Sequence, residues 1–202
     1  LEQVFFSNVS SAVRRAALLA HPFDEELIMS EDMQLSCDLL DAGLAKRIFE
    51  QGFQRVLPRH LEMGLAIGAM GLGGAQGAYE AALAYSSERK QFGKTLNAFQ
   101  VTQFKIAEMA TRIEAGRNLY QKASLLLDHG RVESHLISMA KWYTGETAVK
   151  VAEEALQLHG GYGFIGDYNI ERFYRDCKVV EIYEGTKEIE KTIIARELLG
   201  KY

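Results

Sequence analysis

Three long stretches of helical periodicity, joined by short loops, constrain the fold of this chain more than any other feature. Apolar residues recur at three- and four-residue spacing, and His129-Gly130 and Gly160-Gly161 end the second and third stretches. Because short loops between long helices make neighbours antiparallel, the sequence predicts an all-α, up-and-down four-helix bundle, with the last helix as its fourth member. The predicted helices span residues 61–89, 98–128, 133–159, 169–178 and 187–199. The predicted apolar stripe of the second helix is Phe104, Ile106, Ala107, Met109, Ala110, Ile113, Ala115, Leu119 and Ala123. That of the third helix is Leu136, Met139, Ala140, Tyr143, Ala148, Val151, Ala152, Ala155 and Leu156.

The first 58 residues have a less regular pattern. They predict two or three shorter helices around His21-Pro22 and within residues 29–55, and a plain helix rather than a transit peptide in residues 1–20. Pro58 marks the expected junction between an unassigned helical extension, residues 1–58, and the bundle, residues 59–202. Because the chain begins with Leu, we expect a fragment or a processed form of a longer protein.

Composition and charge exclude several classes of protein. The net charge of -4 gives no electrostatic reason to bind nucleic acid or an anionic membrane surface. Residues 63–79 carry no charge, but charged residues follow within a few turns, so we expect a buried helix of a bundle and no membrane span. Small residues at three- and four-residue spacing let helices approach closely, and six glycines occur here. They are Gly64, Gly68, Gly71, Gly73, Gly74 and Gly77.

The cysteines and histidines suggest neither a disulfide framework nor a metal site. Cys37 and Cys177 are too few to staple a chain of this length, so we expect free thiols in a reducing compartment, the cytoplasm or the mitochondrial matrix. No two histidines stand four residues apart, and no zinc-binding pattern occurs. We therefore expect no metal ion.

A glycine-rich segment, Gly161-Tyr162-Gly163-Phe164-Ile165-Gly166, matches the GxGxxG pattern of dinucleotide-binding turns. That pattern requires a strand before it and a helix that starts within it. Since a long helix precedes the segment here, we do not expect a Rossmann-type site. A helix-ending loop, or a turn that brings bare backbone against a ligand, both stay open.

The segment Glu181-Ile182-Tyr183-Glu184-Gly185-Thr186 places two carboxylates around an apolar pair. It precedes the last predicted helix, with Thr186 as the expected N-cap residue. Glu184 could serve as a base near neutral pH, and Gly185 permits the sharp turn that would aim it. The alternative is a solvated carboxylate that only favours the helix N-terminus.

The segment Glu88-Arg89-Lys90-Gln91-Phe92-Gly93-Lys94 ends the first long helix with cations and a glycine. Cations at a helix C-terminus are expected for structural reasons alone. An arginine beside an exposed phenylalanine could instead clamp a phosphate and stack on a ring.

Together these segments are more specific than any of them alone. In order and spacing they resemble the C-terminal helical domain of the acyl-CoA dehydrogenase family, over about residues 64–202. The resemblance also includes Phe99-Gln100, Gln157-Leu158-His159-Gly160-Gly161-Tyr162-Gly163, Arg175-Asp176 and Ala195-Arg196-Glu197.

The resemblance implies a flavin-dependent enzyme that assembles as a dimer or tetramer, with FAD between subunits. It implies that Glu184 removes the α proton of an acyl-CoA thioester while a β hydride leaves for the flavin. Tyr183 and Gly185 would contact the substrate, and an electron-transfer flavoprotein would accept the electrons. The residues implied to contact the cofactor are Arg89, Phe92, Gln100, Gln157, Gly161, Thr186 and Glu188.

The resemblance also leaves alternatives. Family members carry an N-terminal helical domain and a middle β-barrel before the bundle, and residues 1–58 resemble neither. The chain would therefore act as a fragment, or with a partner subunit that carries the missing domains. A non-catalytic helical assembly module and an acyl-CoA oxidase-type relative are the competing hypotheses.

Overall fold

A computed structural model describes the backbone of residues 3–5, 12–14 and 46–200, and the side chains of residues 61–200. The chain separates into two units, Leu1–His60 and Leu61–Tyr202. The helices are α1 (Lys46–Glu88), α2 (Gln100–Asp128), α3 (Ser134–His159), α4 (Gly161–Phe164), α5 (Ile170–Val180) and α6 (Lys187–Leu199). The strands are β1 (Gln3–Phe5), β2 (Ala12–Arg14), β3 (Lys90–Gln91) and β4 (Lys94–Thr95).

The helical fold predicted from the sequence is confirmed. Helices α2, α3, α5 and α6 begin and end within two residues of the predicted bounds. Helix α3 packs against α2, α5 and α6 and is therefore the central helix of the bundle. It buries twelve of its residues, including several that lie off the apolar stripe read from the sequence.

Helix α1 starts earlier than the sequence predicted. We expected it to begin at Leu61, after a junction at Pro58, but one helix runs from Lys46 to Glu88. A proline inside a helix removes one backbone hydrogen bond and crowds the preceding turn, yet helical backbone can continue on both sides of it. The division into residues 1–58 and 59–202 stays a prediction.

The N-terminal segment contains strands where the sequence predicted a helix. Within residues 1–20, β1 pairs antiparallel with β2, and Val4 lies opposite Val13. β-Branched valines suit a pleated pair, and a pattern this short cannot separate a strand from a helix. The expected helix around His21-Pro22 lies outside the described residues.

The glycines of α1 allow close helix packing, as predicted. A Cβ added at Gly71 would lie 3.1 Å from the Thr144 carbonyl oxygen of α3. A Cβ at Gly77 would lie 2.7 Å from the Phe173 ring of α5. Any larger side chain on this face would push α1 away from α3 and α5.

The core of the second unit contains two apolar clusters. One joins α1 to α2, α3 and α5 around Met109, Ile113 and Val151, and the other lies around Leu65 and Ile137. The predicted apolar face of α2 is only partly confirmed. Met109, Ile113 and Ala123 are buried, whereas Phe104 is 60% exposed. Periodicity identified the stripe, but the positions of the neighbouring helices decided which part of it was covered.

Two further expectations concern membranes and metals. In the part of the chain that the structure describes, no helix is both long and apolar enough to cross a membrane. Among the same residues, no group of three His, Cys, Asp or Glu side chains could hold a metal ion.

Candidate functional site

The predicted site residues lie in two places on the bundle. One group surrounds the C-terminal ends of α1 and α3, and the other occupies the turn between α5 and α6 and the start of α6. Lys141 of α3 contacts this turn, whereas Gln157 belongs to the first group. Sixteen residues separate them, so the two groups are about 24 Å apart along α3 at ~1.5 Å per residue.

The α5–α6 turn, residues 181–186, has an unusual backbone. Glu184 has a φ of 52° and Gly185 a φ of 107°, so two successive residues are left-handed. Such a φ is disfavoured for a residue with a Cβ, and non-glycine residues in this region cluster at functional sites. Glu184 is half-buried, and the turn presents it directly before the N-terminus of α6.

Two other helices hold this turn. Lys141 of α3 is 1% exposed, and its ammonium donates a hydrogen bond to the Gly185 carbonyl oxygen. The Tyr183 hydroxyl donates to the Met70 sulfur of α1 at 3.2 Å. Thr186 is the N-cap residue of α6, as predicted, and its carbonyl oxygen accepts from the Glu190 N–H at 3.0 Å.

Buried charged side chains lie within the turn and next to it, namely Glu181, Lys141 and Glu190. Burial lowers the pKa of Lys141, while the negative charges of Glu190, Glu181 and Glu184 act to raise it. Burial also raises the pKa of Glu190, which is 4% exposed. A cation inside a bundle requires such compensation, because desolvation disfavours its charged form.

The two glutamates of the segment have different surroundings. Glu181 is 7% exposed, forms an ion pair with Lys178 and lies 3.9 Å from Lys187. Glu184 is the more exposed of the two and occupies the left-handed position. The structure therefore separates a structural carboxylate, Glu181, from one that a substrate could reach.

Arg89 and Gly161 of the first group line an aromatic cleft of about 460 Å³. The Arg89 guanidinium lies 5.1 Å from the centre of the Tyr162 ring, within range of a cation–π interaction. Tyr85 stacks on His159 with ring centres 4.1 Å apart, and burial raises the pKa of Tyr85. Residues lining the cleft include Tyr85, Arg89, His159, Gly160, Gly161 and Tyr162.

A small hairpin, β3–β4, borders this cleft and was missed by the sequence analysis. Phe92 and Gly93 form its turn with φ values of 52° and 79°, and Phe92 is 93% exposed. The Leu96 N–H donates to the Arg89 carbonyl oxygen at 2.9 Å, which joins the hairpin to the end of α1. Phe92 therefore projects from the surface at the tip of the hairpin.

The remaining predicted residues are exposed around these two places. Gln100 is the first residue of α2 and Gln157 lies in the last turn of α3. Glu188 lies in the first turn of α6, beside the α5–α6 turn. The GxGxxG segment folds as α4 and a 3₁₀ turn. Helix α3, and not a strand, lies directly before it, so the segment lacks the strand–turn–helix arrangement of a Rossmann-type site.

The cleft suits the nucleotide part of a flavin cofactor. A Cβ added at Gly160 or Gly161 would meet no heavy atom of the described residues within 4 Å, so bare backbone faces open space there. Arg89 offers a planar cation for a phosphate, and the tyrosine rings offer surfaces for a base. These donor types fit the adenosine and pyrophosphate groups of FAD.

Lys141 was not predicted as a functional residue. It shares one face of α3 with Ile137, Thr144 and Ala148, at helical spacing of four, three and four residues. A lysine at a buried position is uncommon unless it is paired, so its place on this face was the signal.

Comparisons with known proteins identify the fold family. Residues 50–199 match the family described as acyl-CoA dehydrogenase, C-terminal domain. This chain belongs to the acyl-CoA dehydrogenase family. The resemblance inferred from the motifs is confirmed, and the match begins 14 residues earlier than the motifs suggested.

Several relatives of this acyl-CoA dehydrogenase-family chain have names that indicate their activity. The caffeyl-CoA reductase-Etf complex subunit CarC of Acetobacterium woodii is 42% identical over 152 residues, 75% of this chain and 40% of the relative. The 3-(aryl)acrylate reductase of Clostridium sporogenes is 44% identical over 135 residues, 67% of this chain and 36% of the relative. This chain thus spans about two fifths of the length of the relatives it matches.

A solved structure supports the same assignment. Butyryl-CoA dehydrogenase from Megasphaera elsdenii aligns with a TM-score of 0.73 and 37% identity, over 74% of this chain and 39% of that chain. Similarity at this level covers both the fold and the order of the helices.

Proposed function

We propose that this chain is the C-terminal helical part of an enzyme that removes hydrogen from the α and β carbons of an acyl-CoA thioester with FAD as cofactor. The observation that carries the proposal is the left-handed turn at Glu184 and Gly185, tied to α3 by Lys141. Membership of the acyl-CoA dehydrogenase family supports it.

Glu184 acts as the general base in this proposal. Its carboxylate is half-buried, which keeps it in reach of a substrate and partly away from water. It accepts the α proton, and its own backbone N–H donates to the thioester carbonyl oxygen, which stabilises the enolate-like charge that develops there. Tyr183 and Gly185 flank the thioester and keep the turn in place.

The aromatic cleft holds the nucleotide part of the cofactor. Arg89 would pair with the pyrophosphate, and Gly161 and Gln157 would contact the adenosine. Phe92 and Gln100 would add contacts from the hairpin and the start of α2. Thr186 and Glu188 would contact the cofactor close to the general base, Glu184. When bound, FAD supplies the acceptor for the β hydride.

The distance between the two groups supports assembly. About 24 Å along α3 separates the contacts of the turn from those of the cleft, at ~1.5 Å per residue. We infer that the cleft of one copy completes the site that contains Glu184 of a neighbouring copy, in a dimer or tetramer. The domains absent from residues 59–202 would come from the longer protein or from a partner subunit.

The decisive experiment uses the full-length protein with bound flavin. Anaerobic mixing with a saturated acyl-CoA should bleach the flavin absorbance in a single turnover. Glu184→Gln keeps the size of the side chain and removes the base, so the bleaching rate should fall about 10²–10⁴-fold. Glu197→Gln makes the same change at an exposed glutamate of α6 and is the matched control. The flavin of this variant should bleach as fast as that of the parent.

Other outcomes separate the alternatives. Equal bleaching rates for Glu184→Gln and the parent would assign the base to another residue. A full-length protein without flavin would favour the helical assembly module. Rapid recovery of the flavin absorbance in air, with no electron-transfer flavoprotein added, would identify an oxidase.

Reduction of an α,β-unsaturated acyl-CoA is a second candidate, because two relatives are named as reductases. The same residues would serve, with Glu184 returning a proton to the α carbon. Chemically reduced enzyme mixed with an unsaturated aryl acyl-CoA should regain its flavin absorbance faster than a saturated substrate bleaches it. The reverse order of rates would favour the dehydrogenase direction.

A further inference from the structure

The buried lysine of α3, Lys141, donates a hydrogen bond to a backbone carbonyl oxygen of the α5–α6 turn. Lys141 is 1% exposed, and its ammonium donates to the Gly185 carbonyl oxygen across 44 positions of sequence. A backbone carbonyl in a turn can usually be satisfied by water. Here a cation is held inside the bundle to satisfy it, which points to a requirement on the turn itself.

The turn needs such a contact because its backbone is strained. Glu184 carries a Cβ at a φ of 52°, and Gly185 follows at 107°. Strained backbone persists only where its surroundings determine it. The hydrogen bond from Lys141 connects this strained backbone, at Gly185, to helix α3.

Three carboxylates oppose the effect of burial, which lowers the pKa of Lys141. Glu190 of α6 and Glu181 and Glu184 of the turn all act to favour the cation against burial. A charged ammonium is a stronger donor than a neutral amine, so these carboxylates strengthen the hydrogen bond from Lys141 to the Gly185 carbonyl oxygen.

We propose that Lys141 is a positioning residue, whose ammonium fixes the left-handed Glu184–Gly185 turn and thereby aims the Glu184 carboxylate and backbone N–H at the substrate. This inference rests on the proposed function. Lys141 does not touch the reacting atoms, and it acts only through the carbonyl of Gly185.

The test compares four variants of the full-length protein: Lys141→Met, Lys141→Arg, Lys141→Met with Glu190→Gln, and the control Lys150→Met. Lys141→Met leaves Glu190 buried without its cation, whereas the double variant removes both charges and leaves neither buried alone. Lys150 is an exposed lysine of the same helix, in an ion pair with Glu146.

Two readouts are measured. The first is amide hydrogen exchange of the peptide covering residues 181–187, measured by mass spectrometry with no substrate present. The second is the single-turnover bleaching rate at saturating acyl-CoA, together with the dissociation constant of the acyl-CoA.

We expect exchange in residues 181–187 to rise at least tenfold in Lys141→Met and in the double variant, with exchange in α2 unchanged. The bleaching rate should fall by about 10²-fold, the loss typical of a misplaced catalytic group, while the dissociation constant stays within about twofold. Lys141→Arg should recover part of both losses, and Lys150→Met should behave like the parent.

The proposal is overturned if the double variant keeps the parent's exchange in residues 181–187. It is also overturned if exchange rises equally throughout the bundle, since that result assigns Lys141 a general role in stability. Failure of the proposed function gives a different pattern: Glu184→Gln would bleach normally, while Lys141→Met would still loosen the turn.

Discussion

The turn around Glu184 and the cleft around Arg89 are built in different ways. The turn is held from inside the bundle by a buried lysine of α3, and at the surface by Tyr183 against the exposed Met70 of α1. The cleft is built on the surface from stacked rings and an arginine, and Phe92 at its border is almost fully exposed. Both contain a left-handed residue with a side chain, Glu184 in one and Phe92 in the other.

This difference matches the roles that we propose. A base must keep its direction to within a fraction of an ångström, so its support comes from the core of its own chain. A cofactor cleft shared between copies must stay open on one side, so its residues are presented outward. Substitutions in the two regions should therefore affect different measurements.

Glycine replacement at the two left-handed turns should give the largest contrast. Gly185→Val places a β-branched residue at a φ of 107° and displaces Glu184, so the bleaching rate per bound flavin should fall about 10²-fold. Gly93→Val strains the hairpin at a φ of 79° and should lower the flavin content at an unchanged rate per flavin. A loss of rate with full flavin in Gly93→Val would break the proposed separation of the two regions.

Added methyl groups should separate folding from binding within the cleft. A Cβ at Gly163 would lie 2.5 Å from the Leu156 carbonyl oxygen, so Gly163→Ala should cost about 1–3 kcal/mol of the free energy of unfolding. Gly161→Ala meets no described atom within 4 Å and should leave stability unchanged while weakening FAD binding. Denaturant titration and flavin titration measure the two effects, and a stable Gly163→Ala protein would contradict the packing argument.

Removal of the arginine should weaken the cofactor site alone. Arg89→Met loses the cation beside the Tyr162 ring and should weaken FAD binding by about tenfold, equivalent to ~1.4 kcal/mol. Lys90→Met removes an exposed neighbouring cation and should have little effect. Equal losses in both variants would indicate a general electrostatic attraction and not a site at Arg89.

An exposed ion pair should give the smallest effect and serve as a baseline for the buried charges of the turn. A hydrogen bond from Lys150 holds the pKa of Glu146 below its usual range. The pair therefore stabilises the fold at neutral pH, and this contribution is lost as the pH falls through the lowered pKa. Lys150→Met should cost about 0.3–0.5 kcal/mol at pH 7 and nothing at acid pH, as measured by denaturant titration. A larger cost would mean that Lys150→Met is unsuitable as a control for the Lys141 variants.

Local patterns predicted the helices well, and the reasons are visible in particular residues. His129-Gly130 ends α2 and Gly160 ends α3 because glycine accepts the positive φ that follows a helix, and both glycines have one. The helix boundary predicted at Pro58 is wrong, since a single proline weakens a helix without ending it, and α1 continues across it.

The candidate site was predicted in part. The motifs that resemble the family identified Glu184 and Arg89 as candidate site residues. They did not reveal that the turn and the cleft lie apart along α3. The β3–β4 hairpin was missed because each of its strands has only two residues, too few for a period of two to show. The exposure of Phe104 was missed because a helical stripe does not reveal which of its residues a neighbour covers.

The sequence by itself determined where the helices run, which segment carries the base candidate and which family the chain belongs to, because these depend on residues close together in the chain. The tertiary structure alone decided that Lys141 meets Gly185, and that Glu181 is buried in an ion pair while Glu184 is accessible. Spacing along one helix gives the direction of a side chain but not the element that packs against it. That contact depends on how α3, α5 and α6 pack together, and it sets the charge and the backbone conformation of the site.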